Sequence, residues 1–155
     1  MLRTIGAVVV GYLVLAIFIF ATFSLVYLAL GPSFAFHAGT VDVTAGWMIV
    51  ATILNLAGAM LGGWVALKVG RSQTAVKALA ALVLILGIVS AVMVMNAPAK
   101  QLPERPLSTM EAAAFAKQPT WYSFLLPVIG AVGVMMGGCL LRGREVTTPA
   151  PVVPS

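Results

Sequence analysis

Four stretches of this chain stay apolar for longer than a water-exposed helix can tolerate. Residues 5–30 run for 26 positions without a charged side chain, and further apolar runs cover about residues 44–69, 76–95 and 121–141. At about 1.5 Å of rise per residue, the first run spans roughly 39 Å as a helix, against a hydrocarbon core of roughly 30 Å. Only 8% of the 155 residues are charged and 61% are hydrophobic, whereas a soluble domain carries about 25% charged residues. Too little polar side chain remains to cover a water-facing globule. The reading is an all-α integral membrane four-helix bundle, a single domain over residues 1–144 with a disordered tail at 145–155.

The borders of the runs fit this reading. A secretory signal has an apolar core of roughly 7–15 residues followed by a small-residue cleavage site, and no such site precedes Pro32. The first run is therefore read as an uncleaved span. Asp42 or Thr44 can accept from the free N–H groups at the start of the second helix. Trp47 at that start suits the lipid–water boundary, and Lys68 near the other end can extend its ammonium to the interface. The short polar turn 70–74 makes the second and third helices antiparallel neighbours. Asn96 and Pro98 end the third. In the loop that follows, Ser108 and Glu111 have capping-box spacing, which predicts a short amphipathic helix up to Lys117, lying on the membrane. Trp121 and Tyr122 open the fourth span as an interfacial pair, and Pro127 inside it removes the bond to the Ser123 carbonyl.

Charge sets an orientation. Four spans put both termini on one side, with Arg3, Lys68, Arg71, Lys77, Arg142 and Arg144. The other side has Lys100, Arg105 and Lys117 together with Asp42, Glu104 and Glu111. Cytoplasmic loops carry the excess of Lys and Arg, so both termini are expected in the cytoplasm. The formal net charge of +5 gathers at the ends of apolar runs, which suits lipid headgroups. No basic face bearing aromatic side chains is present, so nucleic acid is not an expected partner.

Within the spans, the small residues form stripes. At 100° per residue, Ala51, Asn55, Gly58, Ala59, Gly62 and Ala66 share one face of the second run, with Ile53, Met60, Trp64 and Leu67 broadly opposite. The fourth run groups Gly130, Gly133 and Gly137 with Ser123 nearby, and the third aligns Ala80, Gly87 and Ala91. The first has only Gly6, Ala7 and Gly11 near its start. Glycines four apart let two membrane helices approach closely, so Gly58, Gly62, Ala66, Gly133 and Gly137 are the expected packing positions. The six residues 58–63 recur in type at 133–138, each copy ahead of a basic end, and Trp47 and Trp121 precede them by similar distances. That recurrence is compatible with two repeated helical hairpins, residues 1–71 and 76–144, although convergence of small residues in membrane helices is the favoured explanation.

Candidate chemistry is sparse. Asn55 lies near the middle of its span on the small-residue stripe, and with Ser123 and Pro127 it marks a polar core or a contact for a solute. Thr22, Ser24, Thr52 and Ser90 can bond their own helix carbonyls. No Asp, Glu or His falls within a span, whereas proton-coupled transport needs a titratable group there. The small multidrug-exporter architecture centres on a membrane glutamate that this chain lacks. A lone His37 cannot supply a histidine pair to haem, and neither a hydrolytic constellation nor a phosphate or metal motif is present. No cofactor or metal is expected. Cys139 stands alone; it is read as a small buried packing residue in preference to an acylation site.

The loosely spaced glycines from Gly6 to Tyr12, the triplet Gly62-Gly63-Trp64, and the pairing of Trp121 with Gly137-Gly138 give the chain a resemblance to small four-span inner-membrane proteins of bacteria that carry no assigned activity. The resemblance is coarse and brings no catalytic residues. It implies a bacterial inner membrane. The expectation is a non-enzymatic packing or accessory subunit, as a homo-oligomer or with other membrane subunits. A small transporter or channel for an apolar or lipid-like solute is the alternative, and a quinone-binding enzyme subunit the third class.

Overall fold

A computed structural model describes residues 2–37, 42–96 and 117–145. Five helices are present in it: α1 Leu2–Leu30, α2 Pro32–Ala35, α3 Ala45–Gly70, α4 Gln73–Asn96 and α5 Thr120–Glu145. All but α2 are long and apolar enough to cross a membrane. The tail beyond residue 145 lies outside the described residues, as does the amphipathic helix expected over 108–117, apart from Lys117. That residue forms a bridge with Asp42, the Val43 N–H donating to its carbonyl at 3.2 Å.

The bundle is built around α3. It packs against α1 on one side and α5 on another, and α4 closes the group by packing along α5 and meeting α1 and α3. Among the described residues, α1 and α5 do not touch. The core is made of short side chains and a few branched ones. Leu15, Ala59, Ala66, Val76, Leu79, Ala80 and Val134 form one buried cluster, so the helices approach closely and gain by dispersion contacts, which carry association between apolar helices. The lipid-length helices turn bulky residues outward: Ile17, Phe20 and Leu28 on α1, Ile49 and Ile53 on α3, and Ile85 and Met93 on α4 are each at least 60% exposed.

Local chemistry explains the ends. Thr44 caps α3 by accepting from the Trp47 N–H at 3.2 Å, while its hydroxyl donates to the Phe34 carbonyl. Between α1 and α3 the chain folds back over the helix ends. Phe36 and Val43 pair, the Thr44 N–H donates to the Ala35 carbonyl at 3.0 Å, and Tyr27 and Ala35 are buried with Phe36 and Trp47 against them. Trp47, at the start of α3, is packed against these neighbours. It is half-buried, edge-on to Phe23 and Tyr27 with ring centroids 5.7 and 6.3 Å away, and packs against the buried pair Tyr27 and Ala35.

At the opposite end, Arg71 follows α3 with φ 49° and donates its N–H to the Leu67 carbonyl at 2.7 Å. The left-handed position after a helix is usually glycine. Here the glycine falls one residue early, because a methyl group at Gly70 would stand 2.7 Å from Ala75 Cβ and 3.0 Å from Ala7 Cβ. Packing claims Gly70, and Arg71 takes the left-handed conformation at a cost of about 1 kcal/mol.

The expectation for the lone cysteine is corrected. Cys139 is exposed, not a buried packing residue. The preceding pair Gly137–Gly138 fills the inward arc of α5, and a further step of about 100° turns Cys139 outward.

Candidate functional site at the crossing of α3 and α5

Two glycine doublets organise the interior, and each seats two neighbouring helices. On α3, Gly62 faces α1: a methyl group at Gly62 would stand 2.9 Å from the Gly11 carbonyl oxygen, and one at Gly11 would stand 2.9 Å from the Gly62 carbonyl oxygen. Gly63, about 100° around the same helix, faces α5, where an added methyl would overlap the backbone carbonyl of Val134. On α5, Gly137 meets the Met60 carbonyl of α3, and Gly138 meets Val76 of α4, whose Cγ1 would lie 2.6 Å from an added methyl. Glycine is required at these positions by the closeness of the neighbouring backbone or branched side chain.

The expected packing positions are distributed among different interfaces. Gly58 lies against Phe18 and Ile19 of α1, and Gly62 against Gly11 and Leu15. Ala66 is fully buried in the main cluster and lies close to Gly11. Gly133 lies against Leu56 and Ala59, and Gly137 against Met60. The face of α3 assigned to bulky residues is therefore only partly outward. Ile53 and Trp64 are exposed, but Leu67 packs on the core and Met60 offers its carbonyl to Gly137.

Toward the α3 N-terminus the same crossing becomes polar. The Tyr122 hydroxyl donates to the Met48 carbonyl at 2.8 Å and lies 3.0 Å from the Thr52 hydroxyl. Thr52 in turn bonds the Met48 carbonyl at 2.8 Å, so one carbonyl and two hydroxyls tie α3 to α5. One turn further along α3, the Asn55 amide donates to the Leu126 carbonyl at 3.3 Å. Ser123 is half-buried in the first turn of α5, its N–H donating to the Pro119 carbonyl at 3.2 Å. It sits about one turn before Leu126. The α5 helix continues through Pro127, whose ring fills the space over Gly87 of α4.

Sequence reasoning overlooked Tyr122, which it assigned to the membrane surface; Thr52 makes the bond to its own helix expected of it, to Met48, and adds the contact with Tyr122. Tyr122 is 4% exposed, while the adjacent Trp121 is 63% exposed. The two aromatics stand about 100° apart on the helix. The usable signal was that Tyr122 falls on the side of α5 that continues through Gly133 and Gly137.

The arrangement is suited to holding helices together. Among the described residues, no buried side-chain nitrogen or oxygen lacks a hydrogen-bond partner, and no three His, Cys, Asp or Glu side chains converge as a metal site would require. No protein-family model, curated protein or solved structure matches the chain.

Proposed function

We propose that the protein is a non-enzymatic multi-pass protein of a bacterial inner membrane, acting as a helix-packing or accessory subunit of a membrane assembly. The observation that carries this reading is how the polar groups of the spans are used. Thr52, Asn55 and Tyr122 bond to α3 or α5 backbone within the bundle. A solute site would hold such groups toward an opening. The apolar outer faces of α1 and α4 then remain for lipid and for other spans. Both termini lie in the cytoplasm in this reading, because Arg3, Lys68, Arg71 and Lys77 sit at one end of the bundle and cytoplasmic ends carry the basic excess.

Native mass spectrometry and cross-linking after extraction in mild detergent test the assembly. The expected result is a homo-oligomer or a complex with other membrane subunits; a strictly monomeric species under both conditions would overturn it. Transport of an apolar or lipid-like solute past Asn55 and Ser123 is the competing function. It predicts that Asn55→Leu abolishes flux in proteoliposomes, whereas the packing reading predicts no flux to lose.

A further inference from the structure

We infer that the basic end of the bundle is a binding site for the headgroup of an anionic phospholipid, centred on Arg3, Lys68 and Arg71. Three observations converge on that end. The first is proximity: the Arg3 Nε–H donates to the Val69 carbonyl at 3.2 Å, which brings the start of α1 against the last turn of α3. Lys68 and Arg71 flank that carbonyl in sequence. The second is charge. Arg3, Lys68, Arg71 and Lys77 share this end with Arg142 and Arg144 at the close of α5, against one acidic residue, Glu145. Among the described residues, the opposite end holds Asp42 and Lys117, so the basic excess lies at this end.

The third observation is what surrounds the cations. Lys68 Nζ lies 4.7 Å from the centroid of the Trp64 ring, and Trp64 itself is 37% exposed. Next to Arg3 on α1, Ile5 and Val9 are exposed. An anion held here lies beside apolar surface on two helices, which selects a phosphate carrying acyl chains over a free one. Basic residues placed between spans at the cytoplasmic side bind lipid headgroups in this way. Arg71 also occupies a left-handed conformation that glycine would fill without strain. An arginine there instead adds a cation at the α3 C-terminus, close to the Arg3 contact with Val69, at a backbone cost that glycine would avoid.

The left-handed position also supplies the test, because Arg71→Gly removes a cation and relieves the backbone. Delipidated protein in detergent is titrated with phosphatidylglycerol or with phosphatidylcholine of the same acyl chains, and bound lipids are counted by native mass spectrometry. Wild type binds phosphatidylglycerol at least tenfold more tightly. Arg71→Gly keeps or raises the thermal midpoint and lowers that preference about fivefold. Adding R3Q and K68Q brings the preference near unity, and Lys117→Gln, at the opposite end, leaves it unchanged. Equal binding of the two lipids by wild type would overturn the inference, as would a well-folded Arg71→Gly with undiminished preference. Displacement of phosphatidylglycerol by equimolar glycerol phosphate would also overturn it, by assigning the site to a free phosphate. Lipid preference is read on monomer and oligomer peaks alike, so the outcome is separable from that of the assembly experiment.

Discussion

Residues 58–63 and 133–138 are nearly the same string, yet they face different surroundings. In the first, the glycines four apart, Gly58 and Gly62, receive α1, which runs antiparallel to α3. In the second, Gly133 and Gly137 receive α3, which runs parallel to α5. What the two copies share is the terminal doublet, where consecutive glycines face two different helices. The spacing of four specifies that some backbone comes close. The doublet specifies a position between two neighbours, because a single residue step of about 100° carries the helix surface from one contact to the next. Which helix arrives, and in which direction, is decided by connectivity and by the rest of each face.

The largest effects separate contacts with backbone from contacts with side chains. Gly137→Ala and Gly63→Ala each drive a methyl group into a carbonyl of the facing helix, Met60 and Val134 respectively. The helix cannot turn its own carbonyl aside, so each substitution is expected to cost about 3 kcal/mol, at the upper end of overpacking. Thermal or denaturant unfolding in mild detergent, followed by circular dichroism, measures this. A loss below about 1 kcal/mol would show that α5 slides on α3 easily and would remove the distinction.

Gly62→Ala and Gly58→Ala should be milder, at about 2 and about 1 kcal/mol. A methyl group at position 62 would stand 2.9 Å from the Gly11 carbonyl oxygen and 3.0 Å from Leu15 Cβ, but one at position 58 would meet only the side chains of Phe18 and Ile19. Side chains at α1 can adopt another rotamer where backbone cannot. The order Gly137, Gly62, Gly58 in the same unfolding experiment is the sharper test, since the two copies are interchangeable on sequence grounds alone. Equal losses at Gly58 and Gly133 would indicate that the repeated string acts as a repeated interface.

Much of the architecture follows from residues read singly. The apolar lengths locate the four long helices, Thr44, one of two candidate caps with Asp42, proves to start α3, and the small stripes on α4 and α5 face neighbours, with Ala80, Ala91, Gly133 and Gly137 all buried. The site was less legible because it is made of pairs. Nothing local to Met60 indicates that its carbonyl receives Gly137, since a carbonyl is common to every residue. Tyr122 and Thr52 are 70 positions apart, and a tyrosine near a span end reads equally as an anchor in the interface. The partial burial of Trp47 is likewise a matter of pairs, since it comes from Phe23, Tyr27 and Ala35, all outside α3. Periodicity reports which side of a helix is inward, and partner identity is a property of the assembled bundle.

The polar part of the crossing ranks next. Tyr122→Phe keeps the ring and removes the hydroxyl that bonds the Met48 carbonyl at 2.8 Å. Thr52 still bonds that carbonyl, so no acceptor is left bare, and the expected loss is about 1 kcal/mol. Thr52→Val leaves the Tyr122 bond to Met48 and should cost less than Tyr122→Phe. The double variant should lose more than the sum of the two, because only then does Met48 lose both side-chain donors. A strictly additive cycle by the same unfolding measurement would mean that the two hydroxyls act independently.

Asn55 carries the smallest expected effect and separates packing from solute binding within the same crossing. Its amide donates to Leu126 at 3.3 Å, a long bond to a carbonyl inside a continuous helix, and such bonds between membrane helices average about 0.6 kcal/mol. Asn55→Leu should therefore lower stability by about that amount and leave the oligomer distribution in native mass spectrometry unchanged. Leucine exceeds asparagine in volume, and a methyl group at Gly130 would already lie 3.6 Å from the Asn55 amide nitrogen, so crowding against α5 offsets part of the gain in apolar burial. Asn55→Ala removes the bond without that crowding. If the alanine variant is as stable as wild type while Gly137→Ala is not, the α3–α5 crossing is held by close backbone approach alone. If both variants at position 55 lose several times the expected amount, the amide is the register pin of the crossing, and the glycines merely permit what Asn55 specifies.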